Sequence, residues 1–230
     1  MSTLSCSLAE IMRPLSRACQ EAPAGRPRPR RFPGMNTRVL PVVLLSGPPA
    51  SGKSTFAEAL AKALEAALID LDTATAPLLS EVMRLNRTVD IDDPQLVSET
   101  RKLRYETVFY LASDNLRVGR PVVCVAPFTT ERREPDILRP LGTRFAPLGH
   151  PLFVWLDVPR DIILERMRGR AAERDAIKLS RPEAFLSELA LAAPRAPHIS
   201  VAWPFDNSAA AGVAEQIRLE LTARADPQNT

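Results

Sequence analysis

Strand-like and helix-like segments alternate along the chain in a way that predicts an α/β fold, with a parallel sheet covered on both faces. Three observations carry this expectation. Short apolar runs occur at 39–46, 67–71, 121–126, 151–157 and 198–203, and segments of helical character lie between them. A glycine-rich loop, Gly47 to Ser54, follows the first run directly. After the loop, Phe56, Leu60, Leu64 and Leu68 recur every four residues, which reads as one apolar helix face.

Composition sets the limits. The chain has 230 residues, 45% of them hydrophobic and 25% charged, which suits one compact core with appendages and excludes global disorder. Its longest apolar stretch, Val39 to Leu45, is far below the roughly 20 residues of a membrane-spanning helix, so no membrane partner is expected. The net charge of +3 is uneven. Residues 1–38 hold seven Arg against two Glu, and the remainder is slightly acidic, so no nucleic-acid partner is expected either. Three cysteines without metal spacing point to a reducing, cytoplasmic setting, with Cys124 a buried structural thiol.

The chain divides into an arm at 1–37, a folded domain at 38–225 and a tail at 226–230. The arm contains the run GRPRPRRFPG, and its prolines fix φ and remove donors, so it has no packable pattern. Met35 is an alternative start.

The loop carries the strongest chemical signal. Gly47-Pro48-Pro49-Ala50-Ser51-Gly52-Lys53-Ser54 matches G-x-x-x-x-G-K-[ST] between a strand and a helix. Its glycines let backbone N–H groups converge on phosphate oxygens at a helix N-terminus. Lys53 would reach the β and γ phosphates, and Ser54 would place its hydroxyl on Mg²⁺. Residues Gly47 to Ser54, with Thr55, are therefore the candidate nucleotide contacts, and ATP and Mg²⁺ are the expected cofactors.

No lysine follows an Asn, so the N-K-x-D guanine signature of GTPases is absent. The third run ends in Ala126-Pro127 and offers no acid, and Asp157 is followed by Val-Pro, which disfavours a mechanical ATPase. The second run ends in Asp70-Leu71-Asp72, two acids at i and i+2 on a strand end, which project to the same side. There one carboxylate can hold the shell of a metal ion while the other accepts the proton of an attacking hydroxyl. A solvated turn or a helix cap before Thr73 is the alternative.

These pieces, with the segment FVWLDVPRDIILERMRGRAAERD, resemble the P-loop kinases of small molecules over about residues 38–222. That group includes shikimate, gluconate and adenylylsulfate kinases, chloramphenicol phosphotransferase and zeta toxins, and many bacterial AAA-family ATPases. The resemblance implies a P-loop NTPase three-layer sandwich with a five-stranded parallel sheet of nucleoside-kinase type, a helical acceptor lobe at about 73–120 and an Arg-rich lid at about 161–178. It implies Asp70 nearer the metal and Asp72 as the base. In the lid, Arg166 and Arg170 stand one helical turn apart, suited to stabilising a transferring phosphoryl group, and Gly169 hinges or ends the helix. A helix from Gln95 to Arg117 presents Arg101, Arg104 and Tyr105 as acceptor contacts, and Arg132 with Arg133 could meet an anionic acceptor. The loop from Trp203 to Ser208 is where such kinases contact adenine.

The expected activity is transfer of the γ-phosphate of ATP to a hydroxyl of a small molecule. The alternatives are an ATPase or switch coupled to a protein partner, and a nucleotide-binding module without turnover. Translation begun at Met35 is expected to leave melting temperature and activity unchanged, as thermal unfolding of the shortened chain would show.

Overall fold

The computed structural model describes residues 39–88, 93–170 and 191–225. The arm expected at 1–37, the part of the lid beyond Arg170 and the tail fall outside the described residues. The five expected strands are present as β1 (Leu40–Ser46), β2 (Ala67–Asp70), β3 (Val122–Val125), β4 (Gly149–Asp157) and β5 (His198–Ala202). They form one parallel sheet in the order β2-β3-β1-β4-β5.

β1 occupies the centre of the sheet, where both faces must be dry. Val42, Val43, Leu44 and Leu45 have no solvent exposure. Because side chains alternate along a strand, the four divide between two cores. Val43 and Leu45 face helices α1 (Lys53–Leu64) and α6 (Asn207–Ala225), packing with Phe56, Leu60, Ala214 and Ile217. Val42 and Leu44 face helices α3 (Pro94–Arg117) and α4 (Leu138–Phe145), packing with Tyr105, Phe109, Leu141 and Phe145. The result is the expected three-layer sandwich. Gly149 permits the close approach of its two halves at the base of β4, since a Cβ there would lie 2.7 Å from Val42 Cγ2 and 2.8 Å from Leu116 Cδ1.

Two expectations about local structure are corrected. The apolar helix face ends at Leu64, because Glu65 turns into the left-handed region at φ 53° and closes α1. Leu68 belongs instead to β2 and is exposed. The segment after β2 is also more helical than the single expected helix. Helix α2 (Leu71–Leu85) springs directly from β2, with Pro77 inside it, and α3 follows. The acidic turn at 90–94 lies mostly outside the described residues; its last acid, Asp93, caps α3 by accepting the Leu96 N–H at 2.9 Å.

Buried ion pairs fasten α3 to its neighbours. Arg144 of α4 donates to both carboxylate oxygens of Glu106 at 3.0 and 2.7 Å, and its guanidinium lies 5.1 Å from the Phe109 ring centre. The Glu106 side chain is 2% exposed, so removing its partner strands a charge in the core. Arg144→Ala is expected to destabilise the fold by about 3 kcal/mol in urea unfolding. Replacing both partners by apolar residues, Glu106→Leu with Arg144→Met, is expected to recover most of that loss.

Candidate active site

The site forms at the carboxyl edge of the sheet, where β1 runs into the glycine-rich loop. Ser46 ends β1 and donates its hydroxyl to Pro127 O at 2.8 Å, tying the loop's root to the segment after β3. The first intrahelical bond of α1 runs from Phe56 N–H to Gly52 O at 3.0 Å. The N–H groups of the preceding turn, at Ser54 and Thr55, therefore face the open end of the helix, as anion binding requires.

Two glycines of the loop are needed for different reasons. Gly52 sits at φ 91°, a conformation L side chains rarely adopt, and forms the N-cap of α1. Gly47 is needed for space, since a Cβ there would lie 2.9 Å from Ser51 Oγ and 3.1 Å from Leu156 Cβ. Ala50 also takes a left-handed conformation, at φ 58°. Lys53 folds back over the loop and donates to Gly47 O at 3.1 Å and Pro48 O at 2.7 Å. Its ammonium thus lies over the loop's first turn, where a polyphosphate would be cradled.

The two acids do not share a strand end. Asp70 is the last residue of β2 and the N-cap of α2, whereas Asp72 stands in the first turn of that helix. Asp70 Oδ1 accepts the N–H groups of Asp72 and Thr73 at 2.9 and 3.4 Å. Its Oδ2 accepts the Ser54 hydroxyl at 3.2 Å. The cap reading and the metal-side reading of Asp70 are therefore compatible, one on each oxygen. Asp72 is held separately, by Arg104 of α3 at 2.7 Å.

The Ser54 and Asp70 oxygens fit a hard divalent ion. Adjacent ligands of an octahedral Mg²⁺ at about 2.1 Å lie about 3 Å apart, close to the observed separation. Among the described residues no group of three or more His, Cys, Asp or Glu gathers to hold a metal ion. An ion here would therefore complete its shell with water and phosphate oxygens.

The predicted acceptor contacts have partners of their own within the fold. Arg101 donates to both oxygens of Glu131, at 3.1 and 2.8 Å, and lies 4.3 Å from the Tyr105 ring centre. Tyr105 is buried, and its hydroxyl accepts the Phe128 N–H at 3.0 Å. Burial raises the Tyr105 pKa, so it stays a neutral phenol. Arg132 is 5% exposed, with its guanidinium 5.0 Å from the Trp155 ring centre, and burial lowers its pKa. These three side chains are engaged within the fold, while Arg133 is exposed beside them. Of the predicted contacts, Arg104 is the one bonded to the acidic pair among the described residues, through Asp72.

Arg166 does arrive at the loop. Helix α5 (Arg160–Arg170) brings it there, and its Nη1 donates to Ala50 O at 3.3 Å and Ser51 O at 3.0 Å. Its guanidinium lies 4.0 Å from the Trp203 ring centre. Trp203 in turn packs edge-on against Phe205, and Phe205 against Phe56 of α1. This aromatic support for Arg166 was not foreseen, because it joins residues that sequence spacing does not relate. Gly169 lies within the helix, one residue before the last described position. The Arg170 side chain lies outside the description, as does Arg174.

Other expectations concern residues away from the site. Cys124 is buried in β3, and desolvation pushes its thiol up to about 12, which leaves it inert. Burial lowers the His150 pKa, and His198 sets its ring Nδ1 3.0 Å from Ala196 O. Among the described residues no helix is long and apolar enough to cross a membrane.

Comparison with known proteins places this geometry. Among curated proteins, none matches the chain. Solved structures share its fold at low identity. A protein from Chloroflexus aurantiacus superposes with a TM-score of 0.57 at 18% identity, over 83% of this chain and 99% of that one. A gluconokinase from Sinorhizobium meliloti gives 0.50 at 20%, covering 82% and 99%. A sugar kinase from Janibacter gives 0.51 at 18%, covering 77% and 93%. A family model described as an AAA domain matches residues 42–191, from the heart of β1 to beyond α5, and the chain belongs to that family of P-loop proteins.

Proposed function

We propose that the protein is an ATP-dependent phosphotransferase that moves the γ-phosphate of ATP to a hydroxyl of a small acceptor. The observation that carries this reading is the separate fastening of the two carboxylates at the mouth of the loop: Asp70 to Ser54, and Asp72 to Arg104. A site built only to hold nucleotide has no need of the second carboxylate. The kinase fold shared with the gluconokinase and the sugar kinase supports the same reading.

Each residue then has a task. The loop from Gly47 to Thr55 would cradle the β and γ phosphates with backbone N–H groups, and Lys53 would exchange its carbonyl partners for phosphate oxygens. Ser54 and Asp70 would hold Mg²⁺, which supplies charge neutralisation to the phosphates. Asp72 would take the proton of the acceptor hydroxyl as its oxygen bonds to the γ-phosphorus. The bond from that phosphorus to the β,γ-bridging oxygen breaks, and ADP leaves with the oxygen. Arg166 would steady the loop and meet charge developing on the transferred group. Its neighbour Arg170 is assigned the same task from the sequence alone.

Incubation with γ-labelled ATP and a panel of polyols, sugars and hydroxy acids tests the reading. Label is expected on a small molecule, with ADP release stimulated by it. Hydrolysis that rises only with a protein partner would replace the proposal with a coupled ATPase. Lys53→Ala is expected to abolish turnover with the fold retained. Asp72→Asn is expected to lower kcat by about 10²- to 10⁴-fold while the KM for ATP is kept. Asp70→Asn preserves the helix cap, since Asn caps as well as Asp, and is expected to raise the Mg²⁺ concentration needed for half-maximal rate.

Trp203 should report nucleotide binding. A triphosphate filling the loop changes the field on the Arg166 guanidinium that rests against the indole. MgATP is expected to change tryptophan emission in the wild type and in Trp155→Phe, but not in Trp203→Phe.

A further inference from the structure

The sequence offers Arg104 as an acceptor contact, but its geometry points to another role. Arg104 comes from the middle of α3, and its side chain is only 18% exposed, whereas the Asp72 side chain it holds is 67% exposed. Its Nη2 donates to Asp72 Oδ1 at 2.7 Å, and its Nε donates to Thr75 Oγ1 at 2.9 Å. Asp72 and Thr75 are three residues apart on α2 and so share one helix face. Thr75 is buried, and its own hydroxyl donates to Leu71 O at 2.7 Å. The guanidinium is thus clipped at two points along one edge, to a carboxylate and to a hydroxyl that is itself fixed.

An exposed carboxylate on a first helical turn has several rotamers open to it, and an isolated surface pair restrains it weakly. Here the cation is mostly buried and its orientation is set independently of Asp72, through Thr75. One Asp72 oxygen, Oδ1, is therefore occupied and placed. Among the described residues the other, Oδ2, has no protein partner.

We propose that Arg104 is a positioning residue for Asp72: with Thr75 it holds Oδ1 so that Oδ2 is presented to the acceptor hydroxyl. The proposal rests on the reading of Asp72 as the base. Arg104 contributes no atom to the transfer. The proton passes from the acceptor oxygen to Oδ2, and the guanidinium keeps its two bonds throughout.

A double-mutant cycle tests this, using steady-state hydrolysis of γ-labelled MgATP with water as the acceptor. Arg104→Ala is expected to lower the rate about 10- to 100-fold, as misplacement of a catalytic group does, with the KM for ATP within about twofold of wild type. In an Asp72→Asn background the same substitution is expected to change the rate by less than about twofold, because its target is already gone. Thr75→Val, which keeps the charge pair but removes the second clip, is expected to lower the rate less, and also to have no effect beside Asp72→Asn. It carries the cycle alone if Arg104→Ala does not fold. Losses that multiply in the Asp72→Asn background would overturn the positioning role and leave Asp72 as the base. Asp72→Asn hydrolysing at the wild-type rate would overturn the base reading, and the positioning role with it.

Discussion

A loop that gathers backbone N–H groups around a polyphosphate must be held still by something other than its ligand. Here the dry central strand holds it. β1 is walled by β3 and β4 and packed on both faces, so its last residue can shift only if both cores shift. The loop inherits that rigidity through Ser46 and keeps it through the close seating of Gly47 on β4. Every functional assignment in the chain depends on this anchoring, because the other groups are placed relative to the loop. Asp70 meets it through Ser54, Arg166 through the carbonyls of Ala50 and Ser51, and Lys53 through those of Gly47 and Pro48.

The rest of the site is assembled from elements that pack against that strand from opposite sides. α1 and the Trp203–Phe205 corner approach from one core, α2 and α3 from the other. The two carboxylates mark the join. Asp70 ends a strand of the sheet, while Asp72 belongs to the helical layer and is secured by that layer's Arg104. The two carboxylates, which we propose serve the metal and the acceptor, are thus attached to different parts of the fold, although only Leu71 separates them in sequence.

Much of this could be read from the chain. β1, β3 and β4 were legible because burial on both faces leaves continuous apolar runs, and the phosphate loop because its glycines answer a backbone demand no other residue meets. The edge strands β2 and β5 keep one face exposed and were legible from their short apolar runs between helical segments. The end of α1 was not, since Glu65 in the left-handed region follows no residue preference and Leu68 happened to extend the periodicity. Helix α2 was obscured by Pro77 in its interior. The settings of Arg101, Tyr105 and Arg132 illustrate a general limit. Their partners, Glu131, Phe128 and Trp155, are 30, 23 and 23 residues away in sequence, and such long-range pairing leaves no spacing to detect. The same limit hid Thr75 behind Arg104 and Trp203 behind Arg166.

Helix α3 is committed on many sides at once. In six consecutive positions it supplies Arg101 to Glu131, Arg104 to Asp72, Tyr105 to Phe128 and Glu106 to Arg144. Altering any of these would disturb a different neighbour, so this helix has little freedom to diverge. The outward side of α2 is under no such restraint: Thr73, Ala76, Leu78 and Ser80 are exposed and, among the described residues, make no side-chain hydrogen bond. Substitutions would therefore be tolerated more readily on α2, with the braced helix behind it kept as a fixed template.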